Sequence, residues 1–217
     1  MFYKSILNVV VVAVVSAVFC IGCVVDPDDS NNPSVKKGTF TDSRDGQTYN
    51  WVTISGKTWM AENLNYAAEG SKCYEDNPSN CATYGRLYDW ATALTACPSG
   101  WHLPTAAEWT ALEDYVEKES DCRICAGTKL KSTVGWNDYR GSSGNGTDDF
   151  GFSTLPGGTG GPNGDFSDSG YWGNWWSASE GISSSYGWSR NMSFNYGNVG
   201  GGNGSKAYLY SVRCVQN

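Results

Sequence analysis

The sequence predicts an α+β domain: a twisted antiparallel sheet, two helices and long loops rich in glycine and aromatic residues, stapled by disulfides. Three observations lead to this fold class. Turn dipeptides separate short strand patterns, two stretches carry apolar residues at helical spacing, and six cysteines follow an export signal. Nineteen of the 27 glycines fall between Gly135 and Gly204, which favours ordered loops over a helical bundle.

The chain begins with a segment typical of a bacterial secretion signal that ends at a lipidated cysteine. Lys4 supplies the positive charge, and the apolar run that follows is short for a membrane span. Residues 19–23 (FCIGC) resemble a lipobox, in which a small glycine precedes the acylated cysteine. We therefore predict a signal peptide over residues 1–22 and lipidation at Cys23. An ordinary signal peptide and an uncleaved anchor helix are the alternatives.

Residues 23–37 predict a lipidated flexible stalk, because Asp, Asn, Ser and Pro leave little apolar surface to bury. Val24 stands where the usual inner-membrane retention signal has Asp. The acidic run over residues 26–29 resembles signals that send lipoproteins to the cell surface, although charge runs also occur in plain solvated linkers. We predict an outer-membrane lipoprotein that is anchored by its lipid and exposed at the cell surface.

Length and charge limit the classes of protein that fit the rest of the chain. Residues 38–217 suffice for one domain with a sizeable core. The formal net charge of −7 argues against nucleic acid and anionic membrane surfaces as partners.

Six cysteines lie beyond the signal, and an even number in an exported protein implies disulfides with fifteen conceivable pairings. Cys73 and Cys81 flank a turn-rich segment, which favours a local bridge. Cys122 and Cys125 are too close in sequence to favour other partners. The remaining pair is Cys97 with Cys214, a bridge that ties the middle of the chain to its C-terminus.

The predicted elements follow the chain in order. Asp-Gly and Ser-Gly turns bound strands over residues 48–54 and 58–63, and a helix is predicted over residues 83–96. A second helix begins after Pro104, because Thr105 and Glu108 have the spacing of a capping box. Its buried stripe is predicted to contain Trp109, Leu112 and Val116. Further strands are predicted over residues 150–155, 175–179, 186–194 and 207–215.

Several strings in the sequence are specific enough to identify a family. The most specific are residues 97–109 (CPSGWHLPTAAEW) and residues 211–214 (SVRC). Supporting strings are residues 59–64 (WMAENL), 84–90 (YGRLYDW), 149–158 (DFGFSTLPGG) and 176–180 (WSASE). Together these strings resemble the Fibrobacter succinogenes major paralogous domain. The resemblance covers residues 38–217, which we take as a single domain of this type.

The resemblance implies an exported protein, often a lipoprotein, with a fold similar to C-type lectins and the formylglycine-generating enzyme group. In that C-type-lectin-like fold, two helices flank a twisted antiparallel sheet whose N- and C-terminal strands pair. No biochemical activity is firmly attached to the family. The formylglycine-generating relatives use cysteines near the C-terminal part of the fold, where only Cys214 stands, and its pairing with Cys97 explains it better.

The stretch over residues 181–204 is the candidate binding region. In some relatives, retroelements diversify C-terminal segments at Asn codons, and this stretch, rich in Gly, Ser, Asn and Tyr, resembles such a region. A plain polar loop is the alternative. Aromatic side chains on ordered loops provide rigid contact area at low entropic cost. We predict that a glycan or protein ligand is bound by Ile182, Ser183, Ser185, Tyr186, Trp188, Arg190, Asn195, Tyr196 and Asn198.

The tryptophans divide between core and surface. Trp59, Trp90, Trp101 and Trp109 fall on or beside predicted strands and helices and are assigned to the core. Among the C-terminal aromatic residues, Trp176 above all is expected to pack beneath its own loop.

Few residues suggest catalysis or metal binding. His102 is the only histidine, and a packing or capping role before the second helix is favoured over catalysis. Cys122 and Cys125 lack the thioredoxin-like context of a redox motif and the two further ligands of a zinc site. The capping box accounts for Glu108, whereas Glu180 is free to support a loop or to ligate calcium.

These observations predict a binding protein without catalytic residues, metal site or cofactor, although a structural calcium ion would be compatible with the loops. One alternative is a structural or assembly role in the envelope without a dedicated ligand. A metal-dependent enzyme with its site in the loops is the other.

Overall fold

Two five-stranded sheets form the framework of residues 35–217, the part of the chain that this computed structural model describes. The fold is α+β, as predicted, with most of its regular structure in sheets. The predicted signal peptide, Cys23 and residues 24–34 of the predicted stalk lie outside the described residues. The strands are β1 Lys37–Thr41, β2 Thr48–Ile54, β3 Lys57–Met60, β4 Leu87–Tyr88, β5 Trp101–His102, β6 Thr159–Gly160, β7 Phe166–Ser167, β8 Trp172–Glu180, β9 Tyr186–Ser193, β10 Gly200–Ser205, β11 Tyr210–Ser211 and β12 Val215–Gln216.

The first sheet brings the two ends of the described chain together. Its strand order is β1-β2-β3-β12-β5, so the C-terminal strand lies between β3 and β5. Val215 pairs antiparallel with Trp59 on one side and with His102 on the other. The C-terminal strand therefore pairs within the N-terminal sheet, with β3 and not with the first strand.

The second sheet has the order β10-β9-β8-β11-β4, and β11 joins β8 in parallel. The sequence did not predict β10, because glycine disfavours strands. The close packing beneath this strand explains its composition. A Cβ atom on Gly204 would lie 2.7 Å from the Tyr210 ring and 2.9 Å from the Trp176 ring. Glycine thus lets β10 lie directly against these aromatic rings.

The first predicted helix is divided in two. Gly85 ends the first half with a φ of 74°, and β4 follows before the second half begins at the N-cap Asp89. A Cβ atom on Gly85 would lie 2.8 Å from the Leu64 carbonyl oxygen, so a close approach of two backbone segments requires glycine there. The prediction of one continuous helix over residues 83–96 is therefore wrong. The helices in residues 35–217 are α1 Pro78–Tyr84, α2 Trp90–Ala96, α3 Ala106–Glu119 and α4 Ala126–Leu130, besides a 3₁₀ turn over Tyr74–Asp76.

The second predicted helix, α3, is confirmed in its start and its buried stripe. The Thr105 hydroxyl accepts a hydrogen bond from the Glu108 N–H at 3.2 Å, and the Glu108 carboxylate accepts one from the Thr105 N–H at 2.9 Å. This reciprocal pair satisfies two backbone donors at the helix start. The side chains of Trp109, Leu112 and Val116 are buried.

Tryptophans fill two core clusters among the described residues. Trp59 and Trp109 belong to the first cluster, with ring centroids 5.1 Å apart. Trp90 and Trp176 belong to the second, against which the half-buried Trp101 packs. The prediction that Trp59, Trp90, Trp109 and Trp176 are buried is confirmed. Trp101, which was also assigned to the core, is only partly buried.

Two predicted strands are absent or broken in the described chain. Residues 150–155 form no strand, and Thr154 makes a single isolated bridge to Lys131. The strand predicted over residues 207–215 is interrupted between β11 and β12. The intervening residues 212–214 are fully buried, and the carbonyl oxygens of Val212 and Cys214 accept hydrogen bonds from the N–H groups of Leu64 and Met60.

Three disulfides staple residues 35–217, and their pairings are those that were predicted. Cys73 pairs with Cys81, and Cys122 pairs with Cys125. Cys97, which ends α2, pairs with Cys214 just before β12, across a sequence separation of 117 residues. This last bridge joins a helix of the middle of the chain to the sheet that holds the C-terminus.

The described fold begins within the segment predicted as stalk. Val35 is buried in the first core cluster, and β1 starts at Lys37. No helix between residues 35 and 217 combines the length and apolar character needed to cross a membrane.

Candidate binding surfaces

Strand β9 separates the predicted binding residues into two groups. Ile182, Ser183, Ser185 and Tyr186 lie at the β8–β9 turn, whereas Asn195, Tyr196 and Asn198 lie at the β9–β10 turn. The strand between them has eight residues, which span about 25 Å at the usual rise of a strand. The predicted residues therefore do not form one continuous face, because consecutive hairpin turns lie at opposite ends of the strand that joins them.

Arg190 does not belong to either exposed group. Its residue exposure is 6%, and its Nε donates to Glu113 Oε1 of α3 at 2.6 Å. Its Nη2 donates to Thr110 Oγ1 at 2.7 Å. Burial raises the pKa of Glu113, and this effect outweighs the Arg190 guanidinium, which lowers the pKa. We correct the prediction for Arg190: it fastens β9 to α3 and does not face a ligand.

Trp188 occupies an intermediate position. Its ring lies 5.7 Å from the Arg190 guanidinium, and a Cβ atom on Gly201 would lie 3.5 Å from the same ring. The residue is half-buried, and its indole Nε1 has no hydrogen-bond partner among the described residues. Trp188 therefore packs across the second sheet between its neighbours on β9 and β10.

The β8–β9 turn is an exposed loop fixed at its base. Ile182 is 81% exposed, although its N–H donates to Asn203 Oδ1 at 2.8 Å. Ser183 and Ser185 are exposed as well, and Tyr186 is partly exposed at the start of β9. The turn offers one large apolar side chain and several hydroxyl groups to solvent.

Aromatic residues in and beside the β9–β10 turn form what we call the aromatic surface: Tyr139, Tyr171, Phe194 and Tyr196. Phe194 is half-buried at its centre and meets Tyr139 and Tyr171 edge-on, with centroid distances of 5.5 and 5.1 Å. Tyr196 stands two residues further along the turn and is 61% exposed. Sequence reasoning missed Tyr139 and Tyr171, because they come from distant loops without a recognisable pattern.

Lys131 holds the β9–β10 turn in place from inside the protein. Its Nζ donates to the carbonyl oxygens of Gly144, Ser193 and Tyr196 at 2.8, 3.0 and 3.3 Å. Burial lowers the pKa of Lys131 to about 8. Asn198 packs its backbone against Gly127 of α4, where a side chain would collide. The turn is therefore held by the core on one side and by α4 on the other.

We expect the free energy of unfolding to rise between about pH 8 and pH 10 because of Lys131. Its pKa is about 8 in the folded chain and 10.5 in the unfolded chain, so unfolding takes up a proton in this window. The contribution is about 2 kcal/mol, measured by urea unfolding at a series of pH values.

A Lys131→Met variant should lose this rise, whereas Lys118→Met, on the solvent-facing end of α3, should keep it. The same slope in Lys131→Met and in the unchanged chain would contradict the assignment.

A buried arginine joins three of the family-like strings. Arg213 is fully buried, and its Nη2 donates to Asn63 Oδ1 at 2.9 Å. Its Nη1 donates to the Phe152 carbonyl oxygen, and the guanidinium lies 4.6 Å from the Phe152 ring. Trp175 Nε1 donates to the same Asn63 Oδ1 at 2.8 Å. These strings therefore meet in the core, and the residues that make them recognisable support the fold.

The burial of Arg213 is not balanced by a bonded carboxylate among residues 35–217. Desolvation lowers the pKa of its guanidinium to about 9, although Asp148 and Glu62 oppose this shift. Its Nε has no hydrogen-bond partner in the described chain. The cation is thus held mainly by carbonyl oxygens, the Asn63 amide and an aromatic face.

His102 and Glu108 belong to a surface network beside the start of α3. His102 Nε2 lies 3.1 Å from Glu108 Oε1, and Lys57 Nζ donates to the same oxygen at 2.9 Å. Burial alone would raise the pKa of Glu108, but hydrogen bonds from Thr105, Lys57 and His102 outweigh it and lower the pKa to about 2. This arrangement caps a helix, as predicted for Glu108.

The remaining candidates for metal binding are dispersed. Glu180 pairs with Lys206 at 2.6 Å. Within residues 35–217, no group of three or more His, Cys, Asp or Glu side chains is placed to hold a metal ion.

The architecture defines the class of protein first: an α+β domain with two five-stranded sheets, cross-linked by disulfides and carrying an aromatic surface at one hairpin turn. The family model described as the Fibrobacter succinogenes major domain matches residues 52–216, and the chain belongs to this family. No curated protein and no solved structure matches the chain. The matched region includes both hairpin turns and the residues around Arg213.

Proposed function

We propose that the chain is a non-catalytic cell-surface lipoprotein whose C-type-lectin-like domain binds a macromolecular ligand, either a glycan or a protein. The aromatic surface is the observation that supports this proposal. Two partly exposed tyrosines from separate segments, Tyr139 and Tyr171, meet Phe194 edge-on, and the largely exposed Tyr196 stands two residues further along the same turn as Phe194. Single exposed aromatic residues are ordinary, but a cluster of them is typical of an interaction site.

The rigidity of the aromatic surface strengthens the proposal. Lys131 holds the carbonyl groups of Ser193 and Tyr196, and the Thr128 N–H of α4 donates to the Gly197 carbonyl at 2.9 Å. A turn fixed in this way loses little conformational freedom on binding. Tyrosine adds large contact area with few rotatable bonds.

A C-type-lectin-like fold is part of the proposal. The pairing of β12 with β3 brings the end of the described chain back to its first sheet, and the Cys97–Cys214 bridge ties the same end to α2. Long loops between α4 and β8 contribute to the aromatic surface. Both features suit a looped domain that presents its binding groups on loops.

The location of the protein in the cell is proposed from the sequence. Lipidation at Cys23 would tether the domain through a short stalk to the outer membrane, with the aromatic surface free to meet ligands outside the cell. A Cys23→Ala variant should lose membrane association in cell fractionation. Retention of that variant in the membrane fraction would contradict the lipid anchor.

The binding proposal is tested with the full chain, purified after export, on glycan and protein arrays with and without calcium. We expect a specific hit on one array and a loss of affinity of about tenfold or more in Tyr196→Ala, as for a central aromatic contact. Which array responds decides between a glycan and a protein ligand.

The matched control is Ile182→Ala, because Ile182 is also exposed but lies at the other turn of β9. This variant should bind like the unchanged chain. Loss of binding in Ile182→Ala with none in Tyr196→Ala would move the site to the β8–β9 turn. A blank on both arrays with folded protein would favour an assembly role in the envelope.

A further inference from the structure

The disulfide between Cys73 and Cys81 differs from the long bridge in its surroundings. It lies in the wall of an open cleft of about 630 Å³, lined also by Ser71, Lys72 and Arg86. The two cysteines are 8% and 5% exposed; in the long bridge Cys214 is fully buried and Cys97 is partly exposed. The cleft gives a small thiol or an extended peptide segment a route to the first disulfide, and the contact with Arg86 distinguishes this disulfide from the long bridge.

Arg86 directs its guanidinium at both sulfur atoms. Its Nη1 lies 3.7 Å from Cys73 Sγ and 3.6 Å from Cys81 Sγ. Its other nitrogens are fixed by Ser71, with Nε 2.8 Å from Ser71 Oγ and Nη2 3.3 Å from the Ser71 carbonyl oxygen. Ser71 is buried, so the guanidinium is held against the disulfide.

Among the described residues, no carboxylate near the cleft neutralises the positive charge that Arg86 holds against the sulfur atoms. Asp76 is the acidic residue in the cleft wall, and it is paired with Lys72 at 3.2 Å. Within the described chain, no carboxylate lies at salt-bridge distance from Arg86. A disulfide carries no charge, but the thiolate released by its reduction does. A guanidinium in contact with a thiolate stabilises it and makes the disulfide a stronger oxidant.

We propose that Cys73–Cys81 is a thiol–disulfide exchange site whose partner is an exported dithiol, with Arg86 as the positioning residue that stabilises the leaving thiolate. A thiolate of the dithiol attacks one sulfur, so a mixed disulfide forms, the Cys73–Cys81 bond breaks, and its electron pair leaves on the other sulfur beside Arg86. The second thiol of the partner, after losing its proton, displaces the cysteine still bound. The partner is oxidised to a disulfide, and the two cysteines, reduced by two electrons, take up protons as the pH requires.

The test uses the full chain in glutathione buffers of stepped redox potential. Thiols are trapped by alkylation, and peptide mass spectrometry reports the reduced fraction of each disulfide separately. We expect Cys73–Cys81 to be reduced at a less negative potential than Cys97–Cys214, while the long bridge stays oxidised and the fold intact. Reduction of both bridges together, only as the chain unfolds, would overturn the proposal.

Variants of Arg86 and Lys72 distinguish the contact between Arg86 and the sulfur atoms from a general effect of positive charge in the cleft. Arg86→Met should make the exchange equilibrium about tenfold less favourable to the reduced form, a shift of about 30 mV, and Arg86→Lys should restore part of it. Lys72→Met removes the same charge from the same cleft, but Lys72 is paired with Asp76, so the equilibrium should change less than about threefold. An unchanged midpoint in Arg86→Met, or an equal shift in Lys72→Met, would overturn the role of Arg86.

Discussion

Replacing Arg213 with alanine should lower the free energy of unfolding by about 4 kcal/mol, measured by urea unfolding. The change empties the space of a long, fully buried side chain. It also leaves the Phe152 carbonyl oxygen without the donor on Arg213 Nη1, while Asn63 Oδ1 keeps only the bond from Trp175. Lost packing and unsatisfied acceptors therefore act in the same direction.

Two further variants show whether the effect belongs to the network. Arg213→Lys keeps a cation but not the planar fork, so it should recover only part of the loss. Arg140→Ala removes an exposed guanidinium that lies 5.0 Å from the Tyr139 ring, and it should change stability by less than about 0.5 kcal/mol. A cost below about 1 kcal/mol for Arg213→Ala would show that the core tolerates its absence.

Removing the Cys97–Cys214 bridge by changing both cysteines to alanine should cost about 4–5 kcal/mol in the chain-entropy model. The two residues are 117 apart in sequence, so the bridge removes much freedom from the unfolded chain. The native structure also depends on it, because it fixes α2 to the segment that leads into β12. Thermal and urea unfolding of the variant measure the loss.

The bridge between Cys122 and Cys125 provides the comparison, because it closes a loop with a sequence separation of three. The corresponding double alanine variant should lose about 2 kcal/mol in the same model. Equal losses in the two variants would mean that loop length does not govern the stabilisation.

Local signals in the sequence were enough to predict α3 and the disulfide pairings. The capping residues Thr105 and Glu108 act over three positions, so neighbouring residues alone determine where the helix begins. Short spacing assigned four of the cysteines to two local bridges, so Cys97 and Cys214 remained as the third pair. The strands β2, β8 and β9 were likewise predicted, since β-branched and aromatic residues mark them.

Features that depend on contacts between distant segments were beyond sequence reasoning. Gly85 breaks the first predicted helix because residue 64 approaches it closely. The binding prediction grouped residues by proximity in sequence, whereas β9 places them at opposite ends. Lys131 and Arg190 carry no pattern that reveals their roles, because each is held by groups more than ten residues away.

The exposed turn and the packed glycines of the second sheet differ sharply in mutational tolerance. Side chains at residues 182–185 point into solvent, so substitutions there should cost little. A side chain at Gly187 would collide with the Trp90 ring, and one at Gly204 would collide with Tyr210 and Trp176. A combinatorial library randomised at residues 182–185 should consist mostly of folded members, and one that includes Gly187 and Gly204 should not. The second sheet should therefore keep its fold with many different sequences in the β8–β9 turn.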